Sequence, residues 1–277
     1  MTLSGKTRFD CAGFGLLLAM ASTAMAGDWP AFRGPGGNGL ALEDKVPLHW
    51  EPGKNVRWKT ALPGPGNSSP IVSRGRVFVT CAQDTGTRRN LYCFDRWNGR
   101  QVWVRTVEFP GVEPTHRSNP YCASTPVADG ERVVVWHGSA GVYCYNFDGQ
   151  ELWKKDLGAM RHDWGYASSP IIHRGKVILN FGPGARTFLA ALDLKTGNLL
   201  WTERLEGGES WGSVVLAAGR LYVTSRRGVT SVFRPDPEKF ELLAMNDLGE
   251  PRHATPAISD GDIFLRTDLH LYCIADE

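Results

Sequence analysis

The sequence is short of three things, and each shortage excludes a class of protein. Its longest apolar run, residues 12–21, is well under the roughly 20 residues a membrane-spanning helix needs. No stretch sustains a helical apolar period, so an α/β architecture has little to build on. Charge is almost balanced, with 31 basic and 29 acidic side chains, so no global field selects nucleic acid or an anionic membrane. Catalytic signatures are also scarce. There is no H-E-x-x-H and no C-x-x-C, and no two Cys are adjacent. "GPGGNG" at 34–39 fits G-x-G-x-x-G by letter only. It follows no strand, contains Pro35 and opens no helix, so it reads as a turn.

The chain starts with Lys6 and Arg8, an apolar run and small residues ending in an Ala-x-Ala pattern at Ala26. Residues 1–26 read as a cleaved signal peptide, so the protein is expected in the periplasm or outside the cell. No transmembrane segment is expected. Residues 27–54 read as an N-terminal extended segment, and residues 55–277 as one repeat domain. Five Cys follow the leader: Cys81, Cys93, Cys122, Cys144 and Cys273. That odd number leaves at least one thiol free within a single chain. Three of them recur in one context, "LYC", "VYC" and "LYC", which marks a repeated small apolar position in a strand core.

What the sequence has in abundance is self-similarity. "SSPIVSRGRVFV", "STPVADGERVVV", "SSPIIHRGKVIL" and "ATPAISDGDIFL" are copies of one phrase, and "GSVVLAAGRLYV" is a fifth with Val214 in the Pro position. From Pro70 through Pro126, Pro170 and Val214 to Pro256 the spacings are 56, 44, 44 and 42 residues. A period near 40–45 suits a blade of four strands. Three copies close with Gly four residues before Trp, at Trp103, Trp153 and Trp201. The Gly serves the turn, and the Trp ends an outer strand and covers the seam to the next blade. "RPDPEKFELLAM" in the fourth copy lacks both, so its outer strand should form less tightly. The predicted fold is therefore all-β, a propeller of four-stranded antiparallel blades with five repeats. The last copy supplies three strands, and residues 55–60, carrying Trp58, are expected to close it as the fourth.

On these repeat openings and Gly-to-Trp endings the chain resembles the quinoprotein-like propeller family, across residues 28–277. "DWPAFRGPGGNGLA" is similar to the N-terminal segment of exported planctomycete-type repeat proteins. The resemblance implies a propeller, usually of seven or eight blades. It leaves activity open, because the family includes pyrroloquinoline-quinone (PQQ) dehydrogenases and also the non-catalytic propeller of the outer-membrane barrel-assembly machinery. For the dehydrogenases it implies a vicinal Cys pair, a calcium held by carboxylates and amides, and a catalytic Asp. None of these can be placed here residue by residue.

Loops leading into the innermost strands gather at one mouth of a propeller. Here they read "PGPGNSS" (63–69), "EPTHRSNPYCAS" (113–124), "MRHDWGYASS" (160–169), "EGGESWGS" (206–213) and "GEPRHATP" (249–256). They offer His116, Arg117, Asn119, Tyr121, Arg161, His162, Asp163, Trp164, Glu209, Trp211, Arg252 and His253, with Tyr166 among them. Aromatic rings beside charged and hydrogen-bonding groups suit recognition of a protein, peptide or glycan. The competing account of the same residues is structural: rings filling the inter-blade core and charges pairing to hold loops. His116, His162 and His253 lack a regular ligand spacing, so no metal is expected. The favoured reading is a periplasmic or secreted, non-catalytic binding or scaffold propeller without a cofactor. The second is an oxidoreductase at the same mouth, dependent on PQQ with calcium or of another kind, and the third a degenerate paralogue that has lost repeats.

Overall fold

A computed structural model of the chain describes residues 27–43, 45–182, 186–204, 214–236, 238–251, 255–259 and 261–275. These form five antiparallel sheets in chain order. The first contains β1 (Ile71–Ser73), β2 (Arg76–Gln83), β3 (Arg88–Asp95) and β4 (Gln101–Glu108). The second contains β5 (Val127–Ala128), β6 (Arg132–Trp136), β7 (Val142–Asn146) and β8 (Glu151–Lys155). The third comprises β9 (Ile171–His173), β10 (Lys176–Phe181), β11 (Phe188–Asp193) and β12 (Leu199–Glu203). The fourth has β13 (Val215–Ala217), β14 (Arg220–Thr224), β15 (Val229–Phe233) and β16 (Leu242–Asp247). The last has β17 (Ala257–Ser259), β18 (Asp262–Arg266) and β19 (Leu271–Ile274). Each strand pairs with its sequence neighbour, as the blades of a propeller do.

The repeat phrase now has a physical reading. Its central turn, Arg74-Gly75, Arg174-Gly175 or Ala218-Gly219, places both residues at positive φ. A two-residue hairpin of that hand matches the twist of the strands it joins. The hydroxyl residues before Pro70, Pro126 and Pro170 link neighbouring blades near their innermost strands. The Ser69 N–H donates to Thr125 Oγ1 at 2.9 Å, and the Thr125 N–H donates to Ser169 Oγ at 3.0 Å. Asp95, Asn146 and Asp193 fold the third turn by accepting backbone N–H groups two to four residues on.

The Gly-to-Trp ending sets the seam between blades. Trp153 is 7 % exposed, its indole N–H donates to the Leu194 carbonyl at 2.8 Å, and its ring lies over Gly197. A Cβ on Gly197 would sit 2.6 Å from that ring, and φ of +71° is itself hard for a side-chain-bearing residue. Trp103 does the same to the next turn through the Phe147 carbonyl and Gly149. Trp201 instead meets Phe240 at 6.3 Å between ring centroids, because the fourth repeat has no glycine slot. The β16 strand pairs with β15, yet all six of its residues are exposed.

Two apolar clusters fill these seams. Ile71, Phe78, Leu91, Cys93 and Trp103 meet Ala128, Val133, Val135 and Tyr145 between the first two sheets. Val134, Trp136, Cys144 and Trp153 meet Val177, Leu179, Phe181 and Leu192 between the second and third. Asp28 to Pro30 lie along the inner edges: Trp29 exchanges two backbone bonds with Val72, and the Ala128 N–H donates to the Pro30 carbonyl.

Two expectations are corrected. Residues 55–60 do not form the missing fourth strand, and the last sheet has three strands. Trp58 nevertheless uses the seam contact of its siblings, donating to the Arg96 carbonyl at 2.9 Å with its ring over Gly99. Indole docking on the first blade therefore holds the segment without a ladder to β19. The second correction concerns the repeated Cys. Cys93 and Cys144 are fully buried, whereas Cys273 is exposed because no described sheet packs over that face of β19. All five are free thiols.

The seam makes a quantitative demand. Trp153→Ala should lower unfolding free energy by about 3–5 kcal/mol, read from urea melts, since it opens a cavity and orphans the Leu194 carbonyl. A loss below about 1 kcal/mol would remove Trp153 from its structural role.

Candidate functional site

At the end of the first seam the apolar cluster gives way to buried charge. Arg89, Leu91 and Cys93 share one face of β3, and Val133, Val135 and His137 share the facing side of the next blade. Arg89 is fully buried. Its Nε donates to the Gly86 carbonyl at 3.0 Å, and Nη1 donates to Glu113 Oε2 at 2.7 Å and to the His137 carbonyl. The Phe109 and Tyr121 rings lie over the guanidinium, with centroids at 4.8 and 4.9 Å from its carbon. Glu113, in the connector between β4 and β5, also accepts the Ser139 N–H at 3.3 Å.

Glycine makes room for this centre. Gly138 has φ of +61°, and a Cβ there would lie 2.2 Å from the Tyr166 ring and 2.6 Å from Glu113 Oε1. Cys122 also adopts a left-handed backbone, with φ of +64°. Its carbonyl receives the Ser68 N–H and the Thr80 hydroxyl, while its thiol faces His137 Nδ1 at 3.9 Å.

Burial sets the charge states. Burial, helped by the Arg89 charge, pulls His137 down to about 3, so its imidazole is neutral at ordinary pH. Burial lifts the Cys122 thiol to about 12 and raises Tyr166 well above a normal phenol. It also raises the Glu113 carboxyl, although Arg89 and the Ser139 N–H oppose that. A thiol held protonated is a poor nucleophile, and an imidazole that resists protonation is a weak base.

Above it, three of the five predicted mouth loops converge. Asn119 Nδ2 donates to the Trp164 carbonyl at 2.6 Å and to the Tyr166 carbonyl at 3.4 Å, joining the second loop to the third. Asn67 Nδ2 donates to the Ser118 carbonyl at 2.9 Å, joining the first to the second. The Tyr121 hydroxyl donates to the Glu113 carbonyl at 2.7 Å, which ties the loop to the buried pair. Trp164 is 60 % exposed and rests on His116, ring centroids 4.3 Å apart. His116 and His162 accept backbone N–H groups at Nδ1, from Ser118 and Trp164. Arg117, Arg161 and Asp163 project outward and are exposed.

Glu209, Trp211, Arg252 and His253 lie outside the described residues. So does the segment 208–212, which spells G-x-S-x-G. Among the described residues no three His, Cys, Asp or Glu side chains form a metal-holding group. An open groove of about 390 Å³ lies at the rim between the second and third blades, lined by Lys155, Leu157, Arg186, Phe188 and Arg204 among others.

The sequence reading missed Arg89, Glu113, Cys122 and His137. A signal was present, since strand alternation puts Arg89 in phase with Leu91 and Cys93, and His137 in phase with Val133 and Val135. A charge on a core phase is unusual unless it is paired.

A family model described as outer membrane protein assembly factor BamB matches residues 48–178 and 185–276. The chain belongs to that family. Tetrathionate hydrolase of Acidithiobacillus ferrooxidans is 28 % identical over 233 residues, covering 77 % of this chain and 43 % of the hydrolase. Quinohemoprotein alcohol dehydrogenase ADH-IIG of Pseudomonas putida is 25 % identical over 225 residues, covering 67 % of this chain and 29 % of the dehydrogenase. This BamB-family chain thus spans less than half the length of those relatives. The solved quinohemoprotein alcohol dehydrogenase of Comamonas testosteroni aligns with 88 % of this chain and 46 % of its own, at a TM-score of 0.58 and 15 % identity. That likeness shows the propeller fold.

The buried imidazole gives a pH signature. Unfolded, a histidine takes up its proton as pH falls through about 6.5, but folded His137 resists until about 3. Stability should therefore fall as pH drops across that window, at up to about 1.4 kcal/mol per pH unit. Glu113, shifted upward, acts in the opposite sense and loses its contribution as pH rises above the ordinary carboxylate range. His137→Phe removes only the first effect, so its urea-measured stability should lose about one proton of slope in the window. An unchanged slope would mean that His137 is not held neutral.

Proposed function

We propose that this BamB-family chain is an exported binding or scaffold propeller. In this reading it engages a protein, peptide or glycan of the cell envelope through loops 113–124 and 160–169, without chemistry of its own. The observation that carries the reading is Trp164, an exposed indole held in place. Asn119 fixes its backbone and His116 backs its ring, so little side-chain freedom is left to lose on binding. Arg117, Arg161 and Asp163 surround it with charge of both signs, the usual rim of an aromatic anchor. The matching family's description as an assembly factor agrees with a protein partner, and residues 1–26 with export.

Similarity to the P. putida dehydrogenase favours a second reading, an oxidoreductase using PQQ with calcium. The described residues do not fit that pair. No two Cys are adjacent in the chain, the Cys122 thiol faces His137, and among the described residues no three His, Cys, Asp or Glu side chains converge.

Two arms of one experiment separate the readings. The purified chain and a His162→Ala, Asp163→Ala, Trp164→Ala variant are used to capture partners from an envelope extract. Loss of an indole anchor should weaken the captured partner at least about tenfold. Equal recovery by both proteins would eliminate the loop site. In the second arm the wild type is incubated with PQQ and calcium and assayed for absorbance change and dye-linked alcohol or sugar oxidation. No uptake and no turnover are expected, whereas uptake with turnover would install the oxidoreductase reading.

A further inference from the structure

Among the described residues, the buried side-chain polar atoms that lack a hydrogen-bond partner are Arg89 Nη2, Glu113 Oε1, Ser124 Oγ, His137 Nε2 and Tyr166 Oη. Buried polar groups in folded proteins are nearly always satisfied, and an orphaned one costs more than a typical hydrogen bond returns. Four of these five are not scattered through the fold. Arg89 bonds to Glu113 and to the His137 carbonyl. Glu113 Oε1 and the Tyr166 ring both pack directly against Gly138, at 2.6 and 2.2 Å from where a Cβ would stand. Ser124 stands two residues beyond Cys122 in the chain, whose thiol faces His137. The orphans on Arg89, Glu113, His137 and Tyr166 thus gather where the first blade, the second blade and the third mouth loop meet.

Their chemistry defines the missing partner. Arg89 Nη2 can only donate, and an ionised Glu113 Oε1 can only accept. The Tyr166 hydroxyl does either, and His137 Nε2 takes whichever role its tautomer leaves. The ion pair is neutral as a unit, so a charged guest would enter without a counter-charge. A small neutral molecule that both donates and accepts meets every demand.

We infer that this cluster holds internal water bridging Arg89 Nη2, Glu113 Oε1 and Tyr166 Oη, with His137 at its margin. Buried water of this kind makes about three hydrogen bonds to otherwise unpaired groups. Its consequence is mechanical. Water links Arg89 on β3 to Glu113 in the second mouth loop and Tyr166 in the third, and so adds a polar strut beneath Trp164.

Tyr166→Phe keeps the ring and deletes the hydroxyl. That hydroxyl also lies beside the Arg89 guanidinium, so the melting temperature is read together with the water count. If water is bound there, the variant should melt roughly 2–4 °C lower. Oxygen-17 magnetic relaxation dispersion, which counts long-lived internal water, should then show at least one molecule fewer in the variant than in the wild type. A higher or unchanged melting temperature overturns the inference, as does an unchanged water count whatever the melting temperature. Should the variant not fold, a high-resolution crystal structure of the wild type decides. Ordered water within about 3.2 Å of Arg89 Nη2 and Glu113 Oε1 supports the inference. A site that is empty, filled by protein atoms, or filled by another solute rejects it.

Discussion

A guanidinium with no exposed surface cannot be a minor feature of a propeller. Arg89 gives up its hydration, and the idealised cost of removing an ion from water far exceeds what one neighbour returns, so several contacts must compensate it. Apart from Nη2, they come from several segments of the chain. Gly86 offers a carbonyl from the adjoining hairpin, Glu113 a carboxylate from the first inter-blade connector, and His137 a carbonyl from the second blade. The rings of Phe109 and Tyr121 close the faces. None of these can shift by an ångström without stranding a buried charge. The path of the second mouth loop is thus dictated from below, which is why an exposed residue such as Trp164 can be held in a defined position at its rim.

Packing between blades follows a simpler rule, and the repeat shows it through its exceptions. An indole that donates to a carbonyl and covers a side-chain-free turn recurs at Trp58, Trp103 and Trp153. Where the fourth repeat lacks glycine, Trp201 finds Phe240 and the outer strand is left exposed. Trp58 shows that the indole contact and the strand ladder are separable. It makes the seam contact while its segment remains outside any sheet, so residues 55–60 are recruited by a side chain and not by strand pairing.

Architecture was legible in the sequence because it is written in periods: the hydroxyl-Pro opening, the x-Gly hairpin and the Gly-to-Trp ending each mark one local geometry. The mouth loops were legible as well, since their rings and charges interrupt the strand pattern, and the structure brings together those at 63–69, 113–124 and 160–169. The buried centre was harder to see. A scan for loop chemistry passes over Arg89, because it stands inside a strand. Only its phase with Leu91 and Cys93 shows that it points inward, and the identity of its partner depends on how a connector folds back from more than 20 residues away. Closure by residues 55–60 failed for a related reason. Counting strands establishes that an edge is unpaired, but pairing also requires the two ends to meet, and that depends on the summed twist of every blade between them.

The two layers of the mouth do different physical jobs. The lower layer is polar, buried and fixed in charge state: His137 neutral, Cys122 a thiol, Arg89 and Glu113 compensating each other. Such a layer contributes little net stability over an apolar core, because desolvation offsets most of the Coulombic attraction. What it supplies is specificity of geometry, since an alternative loop path that separated Arg89 from Glu113 would strand a buried charge. The upper layer is exposed and varied in charge, and it is tied to the lower by Tyr121, Asn119 and Asn67. A surface that rests on a rigid polar base loses little conformational freedom when it binds. Buried charge and exposed ring are therefore mechanically linked, and the binding role proposed above would draw on that link.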